Sequence, residues 1–335
     1  MSAGAYRRAG VDLDAAAEAT MLIRDLARKA SLPQVVEGVG GFAGLFRLDQ
    51  GRLLAAATDG VGTKLEIARL LSRYDTVGID LVAMSANDVV CTGARPLFFL
   101  DYVAVGKLVP EQVAGIVAGV AEGCRLAGCA LLGGETAEHP GIMEEGRFDL
   151  AGFCVGLVDE ARLLGPQLVE EGDLVVGLRS SGLHSNGFSM VRRAIEGLDL
   201  LATPDGLGRP LADELLEPTR IYVPAVLQAA ELGLLHAAAH ITGGGIVENL
   251  PRVIPEGLGA RIDRGAWEAP PIFELVKEAS GTSDEEMMRT FNMGIGMALL
   301  VPPGAVEGVA AAAGEHGVET VPIGAVVAGE GVTFG

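Results

Sequence analysis

No apolar run in this chain approaches the roughly 18 residues that a membrane span requires, because glycine or a charged residue interrupts each one well before that. The first eight residues also lack the apolar core of a secretory leader, so a cytoplasmic protein with no membrane partner is expected. Cysteine frameworks are missing as well. Cys91, Cys124, Cys129 and Cys154 lie in apolar stretches without C-x-x-C spacing, which excludes a zinc knuckle or disulfide scaffold and predicts buried free thiols. Basic charge is scarce, with 25 Lys and Arg against 44 Asp and Glu and a net charge of -19. A nucleic-acid partner needs a basic face to replace counterions, so none is expected.

What is present is a soluble composition, 49% hydrophobic and 21% charged over 335 residues, enough for two domains. One stretch concentrates chemistry. Asp59-Gly60-Val61-Gly62-Thr63-Lys64 sets a carboxylate, two glycines, a hydroxyl and an ammonium side by side. Residues 53–57 before it read as a buried strand and 65–71 after it as a helix, so it is a strand-to-helix turn. Glycine lets backbone N–H groups approach an anion, a helix start offers free donors, and a carboxylate can hold a divalent cation. The spacing is not that of a Walker A loop. Alone, such a turn is as often a plain surface turn. An acidic chain that binds a polyphosphate must bridge carboxylate to phosphate with cations, which is compatible with a magnesium-nucleotide site.

The rest of the chain repeats this arrangement. Residues 14–30 form an amphipathic helix with Ala19, Leu22, Ile23, Leu26 and Ala30 on one face. Residues 38–43 fit a relaxed G-x-G-x-x-A pattern, but no clean strand precedes them and the following residues look extended, so this is a false dinucleotide signal. Residues 78–93 are apolar all round, as in a helix buried between layers, and Asn87-Asp88 inside that run must be paired or ligated. Strands follow at 97–105 and 148–158, a helix at 110–128, and a strand at 130–132 that ends in Gly133-Gly134-Glu135-Thr136. A connection at 158–172 divides the chain into domains 1–166 and 167–335. In the second, a strand at 174–178 leads through Ser181-Gly182-Leu183-His184-Ser185-Asn186-Gly187 into a helix at 188–195. A helix at 218–232, the cluster His240-Ile241-Thr242-Gly243-Gly244-Gly245, a helix at 305–313 and a strand at 321–327 complete it. Alternating strands and helices make each half a layered α/β unit, and glycine loops after strands gather where open α/β sheets hold ligands. A single glycine cluster is more often a turn, and a single histidine more often structural. His139, His236 and His316 read as surface residues and Trp267 as packing.

Six of these stretches together resemble the aminoimidazole ribonucleotide synthetase family, the phosphoribosylformylglycinamidine cyclo-ligases of purine biosynthesis. They are residues 59–65, 78–84, 96–102, 133–138, 181–187 and 240–245, in order along almost the whole chain. The resemblance implies ATP-dependent closure of formylglycinamidine ribonucleotide to aminoimidazole ribonucleotide, with ADP and phosphate released. It implies a homodimer whose N-terminal sheets pair into a barrel, and a C-terminal αβα sandwich. Asp59, Asp88 and Glu135 match positions associated with magnesium; His184 and His240 match the family's site histidines, and Lys64 would neutralise the transferring phosphate. Gly60, Gly62, Thr63, Lys64, Asn87, Gly133, Gly134, Thr136, Ser185, Asn186 and Gly243 to Gly245 would hold the nucleotide. Arg24 and Arg95 depart from the family pattern, where a lysine and a glutamate are common. A selenophosphate synthetase would want a reactive cysteine near its start and a hydrogenase-maturation relative one at its end; neither is here. Thiamine-monophosphate kinase is the enzyme runner-up, set apart by its different loop at 181–187, and a non-catalytic regulator would have lost acidic positions that this chain keeps.

Overall fold

The computed structural model describes residues 13–335, so the reading of the first eight residues lies outside it. Helix α1 (Leu13–Lys29) leads to strands β1 (Val35–Glu37), β2 (Gly44–Asp49) and β3 (Arg52–Gly60). The short helix α2 (Leu65–Leu71) and the long α3 (Asp75–Val90) precede β4 (Arg95–Val105), α4 (Pro110–Ala127), β5 (Ala130–Glu138) and β6 (Phe148–Asp159). These strands form one mixed sheet in the order β1-β2-β3-β6-β4-β5, antiparallel except for β4 beside β5. Period-two burial on β6 turns Leu150 and Cys154 toward α3 while Ala151 and Phe153 face away. Glycine sets how closely the two helices on this sheet pack. A Cβ at Gly78 of α3 would meet Ile116 O at 2.3 Å, and one at Gly119 of α4 would meet Asp75 O at 2.0 Å, so the backbones lie almost in contact. Pro110 starts α4 and Gly128, at φ 68°, ends it, as the sequence predicts.

The C-terminal half contains β7 (Leu174–Arg179), α5 (Phe188–Ala194), α6 (Leu211–Leu215), α7 (Val223–Glu231), β8 (Ala237–His240), α8 (Gly245–Asn249) and β9 (Leu258–Ile262). It closes with α9 (Pro271–Ser280), α10 (Asp284–Thr290), β10 (Ile295–Val301), α11 (Val306–Glu315), β11 (Thr320–Ala328) and β12 (Gly331–Phe334). Its sheet runs β12-β9-β11-β7-β10-β8. All seven residues of β10 are buried, as a central strand with both faces covered requires. Two local expectations fail. The helix expected over 218–232 begins only at Val223, because residues 217–222 form an extended strap against α3. The strand expected to end at Gly133 continues through Glu138 as the sheet edge. Among the described residues no helix is long and apolar enough to cross a membrane, and Cys91, Cys124 and Cys154 are buried free thiols with Cys129 half-buried.

Candidate active site

The C-terminal end of β3 delivers Asp59 and Gly60 to the rim of a cleft of about 780 Å³ between the two sheets, within the size range of small-ligand pockets. Gly62 turns the chain there at φ 73°. Opposite stand Ser185, Asn186 and Gly187 from the loop after β7, and Thr242, Gly243 and Gly244 from the loop after β8. Gly187 is required by the fold, since its φ is 75° and a Cβ would meet the Phe291 ring at 2.2 Å. Gly243 is not, for a Cβ there would meet only Asn186 Oδ1 at 3.6 Å, so the space it leaves opens into the cleft. Thr63 Oγ1 and Ser189 Oγ, 3.2 Å apart, join the two walls. Asp59, Asp149 and Glu248 line the cleft, and among the described residues no lysine or arginine does. Asp149 and Glu248 escaped the sequence reading, because neither lies in a glycine-flanked motif.

Lys64 points the other way. Its ammonium is fully buried, 2.8 Å from Asp80 Oδ2, and donates to Asp80 Oδ1, His184 O and Glu217 O at 3.0, 3.1 and 2.7 Å. Thr219 donates its N–H and its hydroxyl to Asp80 Oδ1, both at 2.7 Å. With its donors spent on this buried pair, Lys64 is a clasp between domains and not a cation in the cleft, which corrects the phosphate role expected of it. Asn87 is corrected likewise: fully buried, it accepts from Tyr222 N at 2.9 Å and donates to Arg220 O at 2.9 Å, so its amide holds the strap and not a nucleotide. The sequence signal for Asp80 was available. Asp80, Asn87 and Asp88 recur at seven and eight residues on an otherwise apolar helix, which places them on one face.

That face also holds Asp88 against His240, Nδ1 to Oδ1 at 2.9 Å, with Asn87 Nδ2 3.4 Å from the other ring nitrogen. Asn87 can donate to Nε2 only if the proton sits on Nδ1, so the tautomer is set by the neighbours. Asp59 lies near Asp88. Burial pushes its pKa up to about 6; the N–H of Gly60 opposes this and the negative charge of Asp88 adds to it. A desolvated carboxylate beside a second one suits a cation.

His184 is not the solvated loop residue its small polar neighbours suggest. It is buried at φ 63°, packed against Tyr222, and its Nε2 accepts from Ser181 N at 3.2 Å. Desolvation above all, with smaller contributions from His240, Lys64 and Arg220, holds its pKa well below the usual histidine value, so the ring is neutral at physiological pH. His184→Ala is therefore expected to lower stability by about 2–3 kcal/mol, the cost of a buried side chain and its hydrogen bond. The acid limb of the activity profile should keep its midpoint. Unchanged stability together with a lost acid limb would instead make His184 an exposed residue that carries a proton.

Residues 40–158 match the family described as AIR synthase related protein, N-terminal domain, and residues 170–335 match the corresponding C-terminal domain. The phosphoribosylformylglycinamidine cyclo-ligase of Geobacillus kaustophilus is 49% identical over 99% of this chain and 98% of its own length. That of Thermosynechococcus vestitus is 51% identical over 98% of each. The chain belongs to the AIR synthase family. Thiamine-monophosphate kinase from Stenotrophomonas maltophilia shares the AIR synthase fold, with a TM-score of 0.65 over 94% of this chain and 95% of that one, but at 17% identity. The runner-up reading thus shares architecture only.

Within the AIR synthase fold, Gly133, Gly134, Glu135 and Thr136 do not join the cleft. Asp59 pairs with Gly152, Gly152 with Asp101 and Asp101 with Gly134, so these residues stand three strands away, about 14 Å at the usual spacing. Glu135 cannot share a metal with Asp59 of the same chain, which corrects the three-carboxylate set; among the described residues no cluster of three ligands forms. Gly134 serves the sheet, since a Cβ would strike Asp101. Gly245 is not among the residues lining the cleft, and a Cβ there would meet Met288 O at 2.0 Å. His236, read as a surface residue without polar company, pairs with Asp173 at 2.7 Å. Arg24 donates to Val39 O and Arg95 pairs with Glu231, both away from the cleft.

Proposed function

We propose that this member of the AIR synthase family closes the imidazole ring of formylglycinamidine ribonucleotide with ATP, releasing ADP and phosphate, and that the interdomain cleft holds the nucleotide. The observation that carries the location is a cleft lined, among the described residues, by three carboxylates, three loops rich in glycine and no basic side chain. Triphosphate charge there must be met by backbone N–H groups and a divalent cation. Asp59 and Asp88 fit magnesium, an oxygen-seeking ion that typically takes one or two carboxylates plus phosphate oxygens, and it would supply charge neutralisation during phosphoryl transfer.

The formamide oxygen of the substrate is a poor leaving group. Transfer of the γ-phosphoryl to that oxygen makes it one, an amidine nitrogen attacks the same carbon, and phosphate departs as the ring closes. In this scheme Gly60, Gly62, Thr63, Ser185, Asn186, Gly243 and Gly244 orient the phosphates. Asp88 fixes the His240 ring, which can then take or return a proton at Nε2 once Asn87 yields that atom. The Lys64 clasp and Asn87 hold the walls of the cleft at their spacing. Substrate choice tests the reading: ADP release should require formylglycinamidine ribonucleotide, and release driven by thiamine monophosphate instead would point to the kinase activity. A phosphorylated ribonucleotide is too charged to cross membranes, which supports the cytoplasm as the compartment.

A homodimer is part of the same proposal. The sheet face turned from α3 and α4 carries Leu54, Phe98, Leu100, Phe153 and Leu157, paired across β3, β6 and β4, and Phe153 is 40% exposed. An apolar patch this continuous supports an intersubunit barrel. Light scattering at micromolar concentration should give a dimer and Phe153→Glu a monomer. A monomeric wild type would remove the barrel.

A further inference from the structure

The false dinucleotide pattern at 38–43 reaches the cleft indirectly. Arg252 Nη2 donates to Gly41 O at 2.7 Å and its guanidinium stacks 3.8 Å from the centre of the buried Phe42 ring. The same guanidinium donates through Nη1 to Asn249 Oδ1 at 3.2 Å. Asn249 is buried, and its Nδ2 donates to Gly243 O at 3.0 Å and Gly245 O at 2.9 Å. Those two carbonyls therefore turn into the protein. The N–H groups of Gly243 and Gly244, both on the cleft wall, have no acceptor among the described residues. Positive φ at Gly244 and Gly245, 91° and 59°, completes the turn that permits this.

We propose that Asn249 and Arg252 are positioning residues for nucleotide binding. Asn249 holds the loop with its carbonyls inward and two N–H groups free for a phosphate oxygen. Arg252 ties the segment at Gly41 and Phe42 to that same amide, so the seating of the segment and the shape of the loop are linked. Linkage is reciprocal: a bound nucleotide must steady the segment as much as the segment favours the nucleotide. Neither residue touches the reacting atoms. The inference rests on the reading of the cleft as the ATP site.

Three variants separate the two claims. Gly243→Val fills space that only a ligand would use, so it should raise the KM for ATP if the cleft holds phosphates. Asn249→Asp, which keeps shape but loses both donors, and Arg252→Met should each raise that KM by about 10-fold, the worth of one or two hydrogen bonds, with kcat and the KM for the ribonucleotide nearly unchanged. Arg252→Lys should recover part of the loss. Hydrogen exchange read on the full chain should show a non-hydrolysable ATP analogue with magnesium slowing residues 41–43 in the wild type but not in Arg252→Met. If Gly243→Val raises the KM while Asn249→Asp and Arg252→Met leave it and the exchange pattern alone, the positioning role is wrong. If Gly243→Val itself has no effect, the ATP site is elsewhere and the inference falls with it.

Discussion

Lys64→Met is expected to destabilise the protein by about 3–5 kcal/mol, because it leaves the Asp80 carboxylate buried without its counterion. The pair sits where α3, the loop after β3 and the strap at 217–222 converge, so its loss opens the contact between domains. Asp80→Asn should cost a comparable amount. The double variant Lys64→Met with Asp80→Leu should recover much of the loss, since it buries neither charge. Urea midpoints of the four proteins measure this. A cation that gripped phosphate would give a different pattern: Lys64→Met would leave the midpoint in place and raise the KM for ATP.

Asp59→Asn should act in opposite directions on activity and stability. Activity should fall at least about 100-fold, as when a charged oxygen that holds catalytic metal is removed. Stability without ligands should rise by about 1–3 kcal/mol at pH 7.5, because asparagine can still accept from Gly60 N–H and no charge has to be desolvated. The sign follows from linkage. Asp59 has a folded pKa of about 6, raised from 3.8, so folding favours its neutral form. The penalty is absent below about pH 4, grows as pH rises through 6 and is complete above it, and the gap between variant and wild type should open over that window. Melting curves at pH 4, 5, 6 and 7.5 with chelator present check it; a gap independent of pH would show that Asp59 is not desolvated.

The turn at Asp59 to Lys64, the buried helix and the three cleft loops were legible because each is local: a strand pattern, glycines, then a helix pattern. What the local pattern does not carry is direction. Lys64 stands in a phosphate-like motif, yet Asp80 one helix later and the carbonyls of His184 and Glu217 turn it inward. His184 looks solvated from its own loop, but Tyr222 and Arg220, more than thirty residues away, enclose it. Gly134 looks like part of a loop until Asp101 on the neighbouring strand explains its missing side chain. In each case the deciding partner is distant in sequence. Asp80 is the exception, since its place seven residues before Asn87 on a largely apolar helix is a local signal.

The central claim is that this chain activates the formamide oxygen of formylglycinamidine ribonucleotide by phosphorylation. Isotope transfer tests it most directly. With substrate carrying ¹⁸O at that oxygen, and magnesium and ATP present, the inorganic phosphate released should carry one ¹⁸O per ring closed, with ADP formed in equal amount. Unlabelled phosphate, or ADP formed without ring closure, would contradict the account.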